Sequence, residues 1–374
     1  MGLFYRLVIR TALKFQDSEK AHYRALRFLR IFSANPFTRF FLRTMYKPRR
    51  IVHINRFGFD FSNPFGLAAG MDKGAVALQG WSSLGLGFTE IGGITQHEQL
   101  GNQKPRMFRI DGQDLLINRM GFNNHGSDSM AQFLSSKKSK RAHHSQPLWA
   151  NIGKSKITPI EDAKNDYCAT IKALWSNVDA FVINVSSPNT PQLRELQHGE
   201  YLIDILQQCE QTNIELSKQN KKDRKPLLVK VAPDLTNEEF DVILETIQQS
   251  SVDGIVICNT TLKRPKSRSL KEENILNEQG GLSGPFLHPR SIEMISHAYK
   301  QTSGAVPIVG VGGISSAEQA IASIRAGASL LQAYSGFVFK GPGLIKEVVH
   351  GIYRELQKEG LDSLEDLIGK DHGF

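Results

Sequence analysis

Cysteine is scarce: Cys168, Cys209 and Cys258 are the three in 374 residues, and no CxxC pair occurs. This argues against a disulfide framework or a zinc ribbon, and a reducing compartment fits best. Long apolar runs are missing too. No uncharged stretch approaches the roughly 20 residues needed to span a bilayer, and no apolar core followed by a small-residue cleavage site marks a signal peptide. The GxGxxG turn of an open dinucleotide-binding sheet is absent, since GLGFTE at 85–90 lacks the third glycine. A GxxxxGK[ST] phosphate loop is absent as well, and HEQLG at 97–101 lacks the second histidine of a zinc HExxH. ATP hydrolysis and zinc chemistry have no support, and no metal is expected.

The chain is 40% hydrophobic and long enough for one α/β domain of roughly 250 to 300 residues plus an appendage. Its formal charge of +9 is unevenly placed: residues 1–50 hold twelve Lys/Arg against Asp17 and Glu19, so the other 324 residues are net −1. The larger part therefore offers no excess positive charge to a phosphate backbone, and no nucleic-acid partner is expected. In the basic segment the charge alternates with Leu3, Phe4, Leu7, Val8, Leu13 and Phe15, then Ala25, Leu26, Phe28, Leu29 and Phe32, then Phe37, Phe40, Phe41 and Met45. Apolar spacings of three and four imply amphipathic helices. A helical cap on the main domain, a mitochondrial presequence and a membrane-surface anchor all fit. The aromatic content favours the anchor, because cationic aromatic faces attract anionic lipid.

From residue 60 onward, short apolar runs alternate with helical stretches, the rhythm of parallel strands joined by crossover helices. Eight strands are expected, at 66–70, 88–92, 148–152, 181–185, 227–231, 255–259, 307–311 and 329–334. Eight strand–helix units predict a closed (β/α)8 TIM barrel, an α/β fold, behind a small N-terminal helical domain. Two connections are too polar for core: 135–146 reads as a solvated loop and 263–279, after strand six, as a lid.

Reactive groups in such barrels sit at the C-terminal strand ends. Here those ends carry Ala69–Lys73 after strand one, Asn151 on strand three, Asn184 with Ser186–Asn189 on strand four, Lys230 on strand five and Asn259–Thr261 after strand six. Amides, hydroxyls and two lysines suit a small planar anion rich in C=O and N–H groups. Strands seven and eight end in Gly310–Ile314 and Tyr334–Gly336, glycine-rich turns of the usual barrel phosphate site. A phosphorylated cofactor beside an anionic substrate, without a metal cluster, points to flavin mononucleotide, with Lys230 near the flavin pyrimidine edge.

Nine strings carry a resemblance: NPFGLAAGMDK (63–73), NRMGFNN (118–124), NIGK (151–154), NVSSPNTPQLREL (184–196), KVAPDL (230–235), NTTL (259–262), GGLSG (280–284), GVGGI (310–314) and YSGFVFKGP (334–342). With them the chain resembles, over nearly its whole length, the dihydroorotate dehydrogenase family, and most closely its class 2, quinone-linked members. The resemblance implies oxidation of dihydroorotate to orotate in pyrimidine synthesis, with FMN as hydride acceptor and a membrane quinone as final acceptor. It matches Ser187 to the catalytic base. It matches Lys73, Asn118, Arg119, Met120, Gly121, Phe122, Asn184, Asn189, Asn259 and Thr260 to substrate contacts. Ala69, Gly70, Met71, Asp72, Lys73, Asn151, Asn184, Lys230, Gly284, Gly313, Tyr334 and Ser335 match flavin contacts, and His22 and Arg109 lie where the family has its quinone tunnel.

Serine rather than cysteine at 187 and the N-terminal extension both indicate class 2. Two positions depart from the family, which often has threonine where this chain has Gly93 and Cys258. A hydroxyl lost at 93 would weaken flavin binding by about 1 kcal/mol, and Cys258 reads as inert strand packing. The serine lacks a visible His or Asp partner in sequence, leaving a relay through Thr190 or water. Another flavin barrel oxidoreductase and a non-catalytic membrane-surface protein are the alternatives; Ser187 and Lys73 speak for an enzyme. The expected organisation is residues 1–50 as the membrane-associating, quinone-entrance domain and 51–374 as the FMN-binding barrel. Because the resemblance begins near Met1, the expected location is peripheral, on the cytoplasmic face of a bacterial membrane.

Overall fold

Eight short parallel strands close on one another in the computed structural model, which describes Arg10 and residues 15–136, 146–197 and 199–373. In chain order they are β3 (Phe65–Leu67), β4 (Thr89–Ile94), β7 (Leu148–Ile152), β8 (Ala180–Asn184), β9 (Leu227–Val231), β10 (Gly254–Ile257), β12 (Ile308–Val311) and β13 (Ala328–Ala333). The barrel closes as β13 pairs with β3, Leu331 opposite Phe65. Every barrel strand is buried along its length, since crossover helices cover the outer face and side chains fill the inner one. The expected strands stand within a few residues of these. The first is shortened, because after Leu67 the chain turns into the mouth, tied by Ala68 N–H to Ala333 O (3.1 Å) and Gly70 N–H to Gly92 O (2.7 Å).

Two additions lie outside the eightfold rhythm. A hairpin of β1 (Ile54–Arg56) and β2 (Phe59–Phe61) plugs the N-terminal end. Its Phe61 meets the rings of Phe88 (centroids 5.5 Å) and Trp149 (6.2 Å), and these two lie tilted against each other at 4.4 Å. At the opposite end β5 (Met107–Ile110), β6 (Leu115–Asn118) and β11 (Gly281–Ser283) form an antiparallel sheet. Its own small core comprises Ile110, Leu115, Ile117, Leu276 and Leu282.

The polar segment 263–279 contributes to that sheet's cover. A helix, Leu270–Leu276, starts where Ser269 Oγ accepts from Glu272 N–H (3.3 Å), and Arg264 donates to the carbonyls of Leu276, Glu278 and Gly280. Most of the other polar connection, residues 137–145, lies outside the described residues.

Two amphipathic helices precede the barrel, as the spacing over residues 25–45 predicts; of the earlier apolar stretch, residues 1–9 and 11–14 lie outside the described residues. Helix α1 (Ser18–Ala34) is capped by Asp17, whose Oδ1 accepts from Lys20 N–H (2.9 Å). Helix α2 (Pro36–Tyr46) has Pro at its first position and Asn35 as cap (2.8 Å to Phe37 N–H). One ion pair seats α1. Arg106 Nη2 lies 2.8 Å from Glu19 Oε1 with both residues buried, and Arg106 Nη1 donates to the carbonyls of Leu100 and Asn102. Among the described residues no helix is long and apolar enough to cross a membrane.

The aromatic plug constrains β3: a Cβ added at Gly66 would stand 2.5 Å from the Phe88 ring. Gly66→Ala must displace a fully buried ring, so a loss of about 1–3 kcal/mol is expected. Urea unfolding with an unchanged m-value and a lowered midpoint would report it; an unaltered midpoint would mean that the plug is loose.

Candidate functional site

Side chains two apart on a strand share a face, so the strand that sends Phe88 into the plug sends Glu90 inward one layer higher. In the same way Trp149 is followed by Asn151, Leu228 by Lys230 and Leu330 by Gln332. Glu90 is wholly buried. Its Oε1 accepts from Asn151 Nδ2 (2.7 Å) and lies 3.8 Å from Lys230 Nζ, and its Oε2 accepts from Gln332 Nε2. A buried carboxylate is tolerable only with such partners.

Because a carboxylate only accepts, it dictates how the neighbouring amides point. Asn151 gives its N–H to Glu90 and so turns its oxygen to Asn184 Nδ2 (2.8 Å). Asn184 in turn presents Oδ1 to Ser186 Oγ (3.0 Å) and Asn259 Nδ2 (3.4 Å). The chain of polarised amides runs from the barrel axis to the rim.

Above this layer opens a cavity lined by Ala69, Gly70, Lys73, Gly93, Asn118, Met120, Gly121, Phe122, Asn151, Asn184, Ser187, Asn189, Lys230, Cys258, Asn259, Thr260, Gly313, Tyr334 and Ser335 among others. Residues spread over the whole sequence thus converge on one mouth. Lys73 Nζ donates to Asn123 Oδ1 (2.6 Å). Burial, and then the nearby Arg106, lowers its ammonium pKa to about 7, against a smaller opposing pull from Glu19. Ser187 is buried, and its Oγ accepts from Asn189 N–H (3.3 Å). Three residues on, Thr190 Oγ1 is buried with no hydrogen-bond partner among the described residues. Gln332 Oε1 is orphaned in the same way. At the turn after β12, the N–H groups of Gly313 and Ile314 meet no acceptor among the described residues.

Other residues singled out from sequence lie off the cavity. Asp72 turns away to accept from Val76 N–H (2.8 Å) and Ala77 N–H (2.9 Å), holding the turn; burial raises its pKa to about 6 against those bonds. Met71 is buried in the main core, and Gly284 sits behind Ser283, which does line the cavity. Arg119 points outward to Glu278 (2.6 Å) over the Phe108 ring. His22 stacks on Tyr334 (centroids 6.5 Å), and burial followed by Lys73 lowers its pKa to about 4. Arg109 donates to Gln16 O (2.9 Å).

At Gly93 a Cβ would meet the Phe122 ring at 2.6 Å. The space a threonine would need is filled by an aromatic wall. The Cys258 thiol is pushed up to about 12 by burial, too high for a base.

Glu90, Gln332 and Arg194 were not singled out by sequence reasoning. Arg194 holds three mouth loops together, donating to Ser186 O (3.1 Å), Thr260 O (3.1 Å) and Asp234 Oδ2 (2.9 Å). A signal for Glu90 did exist: a lone carboxylate inside an apolar strand run, FTEIGGI.

Fold and site together define a (β/α)8-barrel protein with a cavity of amides, hydroxyls and lysines at the C-terminal strand ends, beneath a helical cap. The chain belongs to the dihydroorotate dehydrogenase family, whose profile matches residues 51–356. A protein named dihydroorotate dehydrogenase (quinone) from Christiangramia forsetii is 44% identical over 346 residues, 92% of this chain and 97% of its own length. One of the same name from Gloeobacter violaceus is 41% identical over 366 residues, 98% of each. The crystal structure of DHODH in complex with ferulenol from Eimeria tenella superposes with a TM-score of 0.86 at 35% identity, covering 96% of both chains.

Glu90→Gln keeps the volume but removes the counter-charge of Lys230 and sets an NH2 among donors. A stability loss of about 3 kcal/mol is expected in chemical denaturation; a neutral outcome would show that the buried charge organises nothing.

Proposed function

We infer that this chain oxidises dihydroorotate to orotate and delivers the electrons to a quinone, a step of pyrimidine synthesis. The observation that carries this reading is the meeting of Ser187, Lys73 and a ring of Asn side chains in one cavity above the Glu90–Lys230 layer. Ser187, Lys73, Asn118, Asn184, Asn189 and Asn259, which match the family's motif, line one cavity that suits a planar anion, whereas Arg119 is turned to Glu278.

FMN fits the deeper part of the cavity. Gln332 Oε1 wants a donor and the turn N–H groups of Gly313 and Ile314 want an acceptor. A ring with an N–H edge and a phosphate answer those needs at the two places. Bound there, FMN would supply the two-electron redox chemistry that links dihydroorotate oxidation to quinone reduction. Gly70, Asn151, Asn184, Lys230, Tyr334 and Ser335 would hold it, and the Lys230 ammonium would favour negative charge on its ring.

The protein's own part in the reaction is binding and proton transfer. Lys73 neutralises the substrate carboxylate, and Asn118, Asn184, Asn189 and Asn259 satisfy its C=O and N–H groups. Ser187 Oγ takes the proton from substrate C5 while hydride leaves C6. A serine is a weak base, and the unpartnered Thr190 Oγ1 offers the next acceptor along, directly or through water.

Residues 1–50 would form the membrane-docking, quinone-entrance domain of a protein peripheral to the cytoplasmic face of a bacterial membrane. Supporting this, Phe15, Phe28, Phe37, Phe40 and Phe41 are exposed on the described part of the segment. Such a row of solvated aromatics is costly in water and favourable at a lipid interface. His22 and Arg109, beside Tyr334 and the start of α1, would line the quinone's way in.

Purified protein should reduce a soluble quinone analogue with dihydroorotate, and Ser187→Ala should lower kcat by roughly 100-fold or more. Turnover unaffected by that change would remove Ser187 as base, and a preference for fumarate would overturn the quinone assignment. The pH dependence tests Lys73. Since only the ammonium attracts the carboxylate, the KM for dihydroorotate should rise above about pH 7, approaching tenfold per pH unit, as the proton leaves the free enzyme's lysine. Lys73→Met should raise KM at low pH and flatten the profile; a sloping profile in that variant would assign the titration to another group.

A further inference from the structure

Beside the end of α2, on the outer wall of the barrel, a second cleft of about 650 Å³ opens against the helix Gly343–Glu359. Arg50, Lys346 and Arg354 line it against one carboxylate, Glu347. The hydrogen-bond and ring partners of the three cations among the described residues are neutral, and Arg354 also lies near enough to the Glu318 carboxylate to favour its charged form. Arg50 stacks over Tyr353 (4.9 Å), Lys346 Nζ donates to Met45 O (3.4 Å), and Arg354 Nε donates to His350 O (3.3 Å). A fourth cation, Arg49, donates its backbone N–H to His350 Nε2 (3.3 Å). Burial, then Lys346, Arg354, Arg50 and Arg49, keeps His350 below the ordinary imidazole range. Three cationic side chains therefore line one concavity, with Arg49 close by and Glu347 and Glu318 as the nearby carboxylates, an excess of positive charge that a bound anion offsets.

The place of the cleft says which anion. Phe37, Phe41 and Met45 follow one another at steps of four along α2, so they share one face. Phe37 and Phe41 are 81% and 57% exposed, and Met45 lines the cleft. An exposed apolar row that ends in a cationic hollow matches the layering of a bilayer surface, acyl region next to headgroup phosphate.

We propose that this cleft binds the phosphate of an anionic phospholipid headgroup when α2 lies on the bilayer. The proposal rests on the membrane-docking reading of residues 1–50 and adds a site that the end of that segment shares with the helix Gly343–Glu359. Lys346 and Arg354 grip the phosphate diester, Arg50 is held for it by Tyr353, and the orientation of the barrel on the membrane is thereby set.

The test is co-sedimentation of the full-length protein with phosphatidylcholine vesicles with and without phosphatidylglycerol. Three double variants accompany it: Lys346→Gln with Arg354→Gln, Lys221→Gln with Lys222→Gln as a charge-matched control elsewhere, and Phe40→Ala with Phe41→Ala. Turnover with the soluble quinone analogue should stay unchanged in the cleft variant, certifying its fold. Wild type should prefer the anionic vesicles, and the cleft variant should bind them roughly 30-fold more weakly. The control should bind as wild type, and the Phe variant should lose both vesicle types. Equal losses in cleft variant and control would reduce the effect to diffuse charge and overturn the proposal. Equal binding to both vesicle types would also overturn it while leaving membrane docking intact; binding to neither would sink both readings. Protection of the cleft by inorganic phosphate, with vesicle binding indifferent to Lys346 and Arg354, would assign the site to a soluble anion instead.

Discussion

A carboxylate on the axis of a barrel is the constraint from which the site grows. Glu90 has no water to solvate it, so it must be surrounded by donors: Lys230 from across the barrel, Asn151 from the neighbouring strand and Gln332 from β13. Those obligations propagate outward. Each amide that donates inward must present its oxygen outward, and the order Glu90, Asn151, Asn184, Asn259 leaves the mouth with donors and acceptors in fixed places. Preorganisation of this kind costs nothing at the moment of binding, because the side chains have one satisfied arrangement.

Below that layer the aromatic plug excludes water, and above it the helical cap completes the enclosure. Glu19 and Arg106 fix α1 at the rim, where Tyr23 Oη accepts from Asn123 Nδ2 (3.2 Å), the same Asn123 that receives the Lys73 ammonium. His22 meets Tyr334 from the same helix. The cap is thus wired to the cavity by polar contacts on one side and presents aromatic residues to the exterior on the other. A two-electron donor site and an apolar electron acceptor can be served by such an arrangement without either entering the other's solvent.

Chain reading located the barrel well because alternation of buried strands with helices is a one-dimensional signal. It also found the mouth: strand ends are defined by the same signal, and polar residues placed there have few structural reasons to occur. It was less able to separate neighbours on a turn. Met71 and Asp72 sit between lining residues in sequence, yet one is core and the other fastens the turn through two backbone bonds. Arg119 fell in a motif of which Asn118, Met120, Gly121 and Phe122 line the cavity, but its guanidinium found Glu278 159 residues away. The antiparallel sheet at the mouth was missed because β6 pairs with β11, and the hydrophobic reward for its short strands is shared between distant segments.

What the sequence alone determined is therefore periodic or positional: the eight strand–helix units, the amphipathic basic prelude, the family's strings and the residue types at the strand ends. What tertiary structure decided is directional. Closure of the barrel brings Glu90, Gln332 and Lys230 within reach of one another, packing of Phe122 leaves no room for a side chain at 93, and burial beside Arg106 lowers the Lys73 pKa to about 7. These outcomes depend on which groups lose water together, and water is excluded by the folded whole rather than by any local stretch of chain.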